Sequence, residues 1–249
     1  MKMLLIDAGN SRVKWATVED GMWLHQNVLE NTNASALCMA FSEVPLPDRI
    51  LVSNVAGKNM AQLISTACAA WHCPIEFIVA QVTLCGVRNS YEHPAQLGSD
   101  RWAALIAAWH QERASCLVVN CGTATTVDAL SAEGEFLGGL ILPGVGMMRS
   151  SLAAGAAQLA QTKGVWQEFP RNTADATFSG SIRATIGAIH LQFEALTVRG
   201  SARCLLSGGA ADDIQLHLKL PLVRVDNLVL RGLQIIGQEH FEQALQNHF

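Results

Sequence analysis

The chain has 249 residues and a mass of 26.8 kDa, with 50% hydrophobic and 15% charged residues and a mean hydropathy of +0.23. That composition excludes a disordered chain, and a folded chain of this size buries roughly 70–75% of the surface it exposes when unfolded. The 17 Lys and Arg against 21 Asp and Glu give a net charge of −4 without a dense basic run, which argues against a charge-driven grip on nucleic acid and for a small partner.

The first residues, Met1 to Ile6, are largely apolar, but Asp7 and Asn10 interrupt them well short of an export signal. The most apolar stretch, Phe136 to Ala160, is cut by Gly138-Gly139, Pro143-Gly144 and Arg149-Ser150-Ser151 into strand, turn and helix pieces, so no membrane span is expected. The seven cysteines form no CxxC pair and several lie in apolar segments, as small hydrophobes do in a reducing cytoplasm. Cys68, His72 and Cys73 have zinc-ligand chemistry, but no second pair follows at finger spacing, and packing is the better reading.

In chain order, Met3 to Asp7 is an apolar run ended by Gly9-Asn10, and Val13 to Val18 resumes with period two, which predicts a β-hairpin. A third strand is expected at Leu24 to Leu29, then strands at Ile50 to Val55 and Ile75 to Ala80 around a helix at Asn59 to Trp71. A polar, turn-rich loop from Gly86 to Ser99 precedes helical periodicity running to about Arg113, so Asp100 stands at a helix start. From Cys116 the pattern restarts: a strand to Val119, a turn at Asn120-Cys121-Gly122, a Thr-rich strand to Leu130 and a strand from Phe136 to Leu142. Helices are then expected near Met147 to Gln161, at Ser179 to Val198 and near Asn227 to Gln246, with a strand at Arg203 to Leu206 that meets Gly208-Gly209.

Asp7-Ala8-Gly9-Asn10-Ser11 and Asn120-Cys121-Gly122-Thr123-Ala124 share a pattern: a strand, a carboxyl or amide side chain, one spacer, Gly, then Asn or Thr, then a strand. The chain therefore reads as a divergent internal duplication, with an N-terminal lobe at 1–115 and a C-terminal lobe at 116–249. A glycine after a strand lets the backbone approach a ligand, exposed amides cradle phosphate oxygens, and a neighbouring carboxylate holds Mg²⁺. Two such turns would clamp a nucleotide. No Walker A, complete dinucleotide loop, GxSxG elbow or HExxH helix competes with this reading.

Four ordered motifs carry a resemblance: Asp7-Ala8-Gly9-Asn10-Ser11-Arg12-Val13-Lys14, Leu97-Gly98-Ser99-Asp100-Arg101, Gly122 to Asp128, and Gly138 to Gly144. Together they resemble type III pantothenate kinase across nearly the whole chain, and Ser207-Gly208-Gly209-Ala210 and Asn227 to Leu233 resemble its last elements. The resemblance implies an α/β, duplicated actin-like ATPase (ribonuclease H-like) fold of two lobes, each a mixed sheet flanked by helices. It also implies a cytoplasmic homodimer that uses ATP with Mg²⁺ to phosphorylate pantothenate, the first step towards coenzyme A.

By that resemblance Asp100 is the catalytic proton acceptor. Asp7 holds Mg²⁺, directly or through water, while Gly9, Asn10, Ser11, Lys14, Gly122 and Thr123 bind ATP and its phosphates, beside an adenosine-side Gly-Gly motif in the second lobe. Tyr91, Gly98, Ser99, Asp100, Arg101 and Thr173 contact pantothenate; the fork of Arg101 suits its carboxylate. Placed at a helix N-terminus, Asp100 is expected to be a weak base. The family's usual Asp before the second glycine is Asn120 here, so a K⁺ or NH₄⁺ site would be weakened or absent. Two other readings stay open: a regulatory protein of the same fold, and a kinase of another small hydroxy compound.

Overall fold

The computed structural model describes residues 1–31, 36–155 and 163–246. Contacts divide them into two units, one formed by Met1–Gln111 with the segment from Asn227 onward, the other by Glu112–Asp226.

In the first unit, β1 (Lys2–Ala8), β2 (Arg12–Glu19) and β3 (Met22–Glu30) form an antiparallel meander. Strand β4 (Arg49–Asn54) pairs parallel with β1, and β5 (Ile75–Phe77) parallel with β4, giving the order β3-β2-β1-β4-β5. The continuous run Leu4-Leu5-Ile6 reads as it does because β1 is central and covered on both faces, and all three residues are fully buried. Helices α1 (Leu37–Ser42) and α2 (Lys58–Cys68) lie together, and Leu37, Phe41, Met60, Ile64 and Cys68 share a core with Leu4, Ile6, Ile50 and Val52. A short β6–β7 hairpin (Thr83–Leu84, Val87–Asn89) and helix α3 (Ser99–Glu112) follow.

The second unit repeats the plan. Strands β8 (Cys116–Cys121), β9 (Ala124–Leu130) and β10 (Glu135–Pro143) form the meander, and β11 (Arg203–Ser207) and β12 (Leu222–Arg224) add parallel strands in the order β12-β11-β8-β9-β10. Helix α4 (Val145–Gly155) leaves β10, α5 (Thr173–Thr197) packs on β8 and β9, and α6 (Ala211–Gln215) follows β11. Ile182, Ile189, Phe193 and Leu196 of α5 meet Leu117, Val119, Val127 and Leu206 in the core. Two mixed sheets flanked by helices, with matching strand order, are what the duplicated α/β reading requires.

Several boundaries differ from the sequence reading. Helix α5 begins six residues before the expected Ser179, because Asn172 caps it by accepting from the amide of Asp175 at 2.9 Å. The predicted Asn120 turn is instead the end of β8, with the turn confined to the next residues. The helix expected at Met147 to Gln161 is α4 as far as Gly155, and its last predicted residues lie outside the described ones. The last helix, α7 (Leu228–Gln246), groups with the first unit rather than with 116–249: it packs on β1 and β4 and buries Leu228, Leu233 and Ile236. Apolar periodicity marks a helix face but not the sheet that covers it.

Candidate active site

The first unit gathers its polar residues at the C-terminal ends of β1 and β4 and the start of α3. Asp7 is the penultimate residue of β1, flanked in register by Lys14 on β2 and Ser53 on β4. Burial and, secondarily, the Asp100 carboxylate push the Asp7 acid up to about 7, against the pull of Lys14. Asp100 lies in the first turn of α3, where its Oδ1 accepts from the Arg101 amide at 2.8 Å. Burial raises its pKa above the ordinary carboxylate value, opposed by that amide and by the Arg101 charge. The direction is opposite to the one a helix N-terminus alone would give.

Gly98 makes room for this arrangement. A Cβ there would lie 2.6 Å from Asp100 Oδ1, so any side chain would swing the carboxylate away. The buried Ser99 and Ser53 hydroxyls are 3.0 Å apart and tie the start of α3 to the strand beside Asp7. Arg101, 5% exposed, donates from its guanidinium to the Tyr91 hydroxyl at 3.0 Å and lies over that ring. Asn89 sets the intervening loop by accepting from the Tyr91 amide at 3.1 Å and donating to the Pro94 carbonyl at 3.1 Å. Asp7, Lys14, Gly98, Ser99, Asp100, Arg101 and Tyr91 thus belong to one connected neighbourhood.

Between β1 and β2, the half-buried Gly9 and the exposed Asn10 and Ser11 form a corner closed by a bond from the Gly9 amide to the Arg12 carbonyl at 3.0 Å. Asn31, just past β3, donates from Nδ2 to the carbonyls of Gly9 (2.8 Å) and Asn10 (2.9 Å), and its own amide donates to Ser11 at 2.9 Å. The sequence reading passed over Asn31, Ser53 and Asn89. None falls in a motif; Asn31 and Ser53 act across a long stretch of chain, and Asn89 acts within its own loop.

The second unit holds the companion corner. Asn120 is half-buried on β8 beside Thr126 and Ser207, so its neighbours in register are neutral. Gly122 and Thr123 are exposed, and the Gly122 amide donates to Ala124 at 3.0 Å. The Thr123 carbonyl accepts from Gly144 at 2.9 Å and the Cys121 carbonyl from Ala210 at 3.0 Å. Only glycine fits these approaches: a Cβ on Gly144 would lie 2.3 Å from the Gly122 carbonyl oxygen, and one on Gly208, whose φ is +98°, 2.3 Å from that of Cys121. Arg224 secures the Gly208 turn by donating to the carbonyls of Leu206 (3.2 Å) and Gly208 (3.0 Å).

Thr173 is the first residue of α5, the cap being Asn172, and it lines a cleft of about 600 Å³ with Leu152, Pro170, Arg171 and Thr177. Thr173 belongs to the second unit, and Tyr91 and Arg101 to the first.

A divalent cation suits the first unit. A buried Asp7 carboxylate made more costly by the Asp100 charge, with Lys14 opposing, matches Mg²⁺, which keeps water and phosphate ligands and needs few from protein. Among the described residues no group of three or more His, Cys, Asp or Glu forms a closed metal site, and Cys68 packs in the core with its thiol pushed up to about 12 by burial. Among those residues no helix is long and apolar enough to cross a membrane.

The chain resembles known proteins over nearly its full length. A protein from Aromatoleum aromaticum named Type III pantothenate kinase is 47% identical over 237 residues, covering 95% of this chain and 98% of its own. Among solved structures, a Baf family protein from Campylobacter jejuni superimposes with a TM-score of 0.62 at 22% identity, covering 96% of this chain and 99% of its own. A glucokinase from an Antarctic psychrotroph does so with a TM-score of 0.51 at 10% identity, covering 95% and 99%; these two likenesses establish the fold alone. The family model for type III pantothenate kinase matches residues 3–195, and with it the chain belongs to the type III pantothenate kinase family.

Proposed function

We propose that the chain transfers the terminal phosphoryl group of ATP to the primary hydroxyl of pantothenate, with the chemistry centred on Asp7 and Asp100. The observation that carries this reading is the pairing of those carboxylates at the end of β1 and the start of α3, with Lys14 opposite Asp7 as the nearby positive charge. Phosphoryl transfer asks a protein mainly to position the hydroxyl, neutralise phosphate charge and accept a proton. Asp100, held by Gly98 and Ser99, accepts the hydroxyl proton, and its raised pKa makes it a better base than an exposed aspartate. Arg101 and Tyr91 receive the carboxylate end of pantothenate through charge-assisted hydrogen bonds. Thr173 contributes a hydroxyl to the same substrate from its cleft.

The corners at Gly9, Asn10 and Ser11, and at Gly122 and Thr123, wrap the phosphate oxygens, their glycines admitting close approach while the Gly9 and Gly122 amides stay in the turns' own closing bonds, with Lys14 as a point charge. When bound, Mg²⁺ held by Asp7 neutralises the charge of the transferring phosphate. Asn120 offers an amide oxygen among neutral neighbours, so K⁺ or NH₄⁺ binds weakly or is dispensable. The enzyme acts in the cytoplasm as a homodimer whose lobes each carry one phosphate corner, the first with the catalytic Asp.

The test is incubation of the purified protein with Mg²⁺, ATP and pantothenate, with and without K⁺ or NH₄⁺, followed by mass spectrometry. Phosphopantothenate in every salt supports the reading, including that of Asn120. Product only with added K⁺ or NH₄⁺, and saturating at low cation concentration, removes the claim about Asn120, and no product in any salt removes the substrate. Light scattering tests the dimer.

A further inference from the structure

Asn31 lies outside every motif, yet it makes three contacts with one turn. Its Nδ2 donates to the carbonyls of Gly9 and Asn10 and its amide to that of Ser11. The side-chain orientation is fixed by chemistry, because a flipped amide would set its oxygen against two carbonyls that can only accept. Across a trans peptide the C=O of one residue and the N–H of the next point in opposite directions. Drawing the carbonyls of residues 9, 10 and 11 towards Asn31 therefore turns the amides of Asn10, Ser11 and Arg12 to the other side. Successive amides on one side of a turn make a concave anion cradle. The second corner is held from behind without a side chain: its carbonyls at Cys121 and Thr123 accept from the amides of Ala210 and Gly144.

We infer that Asn31 is a positioning residue for the nucleotide: its carboxamide holds the Gly9–Ser11 corner with its amides presented to the ATP phosphates. The inference rests on the reading of that corner as a phosphate site, and it does not depend on which alcohol is phosphorylated.

Asn31→Ala removes the donors, and Asn31→Leu removes them while keeping the side-chain shape without adding charge. Both variants of the full chain are compared with the parent by calorimetric titration with Mg²⁺ and ATP, by thermal melting and by separate KM values for ATP and pantothenate. The expected result is ATP binding and ATP KM weakened about tenfold in both variants, the scale of losing hydrogen bonds that hold a site, with the pantothenate KM within about twofold of the parent. Parent-like ATP binding in folded Asn31→Leu would reduce Asn31 to a space-filler and overturn the inference. An equal rise in both KM values, or loss of folding in both variants, would make it a general structural residue and also overturn it. If the parent binds ATP without phosphorylating pantothenate, weakened binding in the variants still supports the inference while the substrate reading fails. If the parent binds no ATP, both fall.

Discussion

The β1–β2 and β8–β9 corners descend from one pattern and solve one problem by different means. Four residues, Gly9 to Arg12, separate the last paired residues of the first corner, and three, Gly122 to Ala124, those of the second. The first is held from behind by a side chain, Asn31; the second by the backbones at Gly144 and Ala210, which approach closely because Gly144 and Gly208 lack a Cβ. The first keeps a carboxylate facing a lysine, while the second has an amide among hydroxyls. The turn geometry recurs in both units, while the carboxylate–lysine pair stands at one corner alone. The first corner should therefore be sensitive to changes of charge and the second to changes of shape.

The largest expected effect tests the chemical side. Asp100→Asn should lower the turnover rate by roughly 10²–10⁴ while leaving ATP affinity near the parent's, as measured by steady-state kinetics and calorimetry. Loss of nucleotide binding instead would make Asp100 structural. On the shape side, Gly208→Ala must accommodate both a backbone clash and a positive φ, and it should cost roughly 2–4 kcal/mol in denaturant unfolding. A parent-like midpoint would show that the second corner yields readily.

Arg101→Ala should raise the pantothenate KM by about tenfold or more and the ATP KM by much less, since its contacts fit a carboxylate. Equal effects on the two would argue against that contact. Asp7 sets a pH dependence. Its folded pKa of about 7 lies above the unfolded value of 3.8, so between those values the native state binds more proton. Its contribution to the stability of the ligand-free protein is therefore present below the unfolded value and is lost as pH rises through about 7. Melting temperatures from pH 4 to 8 should show this loss in the parent and a flatter profile in Asp7→Asn. Gly98→Ala should have the smallest effect on folding, since the clashing atom is a side-chain oxygen that can swing. It should lower the rate several-fold through the displaced Asp100, and an unchanged rate would remove the role given to Gly98.

Much of this was legible in the sequence. Strand periods and the repeated Gly corners led to the duplicated sheets because short-range patterning encodes strand and turn directly. What escaped has a common cause. Asn31 and Ser53 are ordinary polar residues whose importance lies in partners brought near by folding, Asn31 reaching back 22 residues to Gly9, while Asn89 sits in a polar loop whose composition does not single it out. Helix α7 reads correctly as a helix, but its partner sheet is a matter of tertiary packing. The short elements α1, α6 and β12 carry too few residues for a periodic signal. The raised pKa of Asp100 follows from burial, which composition near a helix start does not reveal.

The central claim is that each corner is a phosphate cradle made of main-chain amides, whatever holds it from behind. Amide-resolved NMR of the full chain during titration with a non-hydrolysable ATP analogue and Mg²⁺ tests it most directly. The account predicts that the amide signals of Asn10 and Ser11, and those of Gly122 and Thr123, all shift on saturation. Signals of either corner that stay in place while the analogue binds would contradict it.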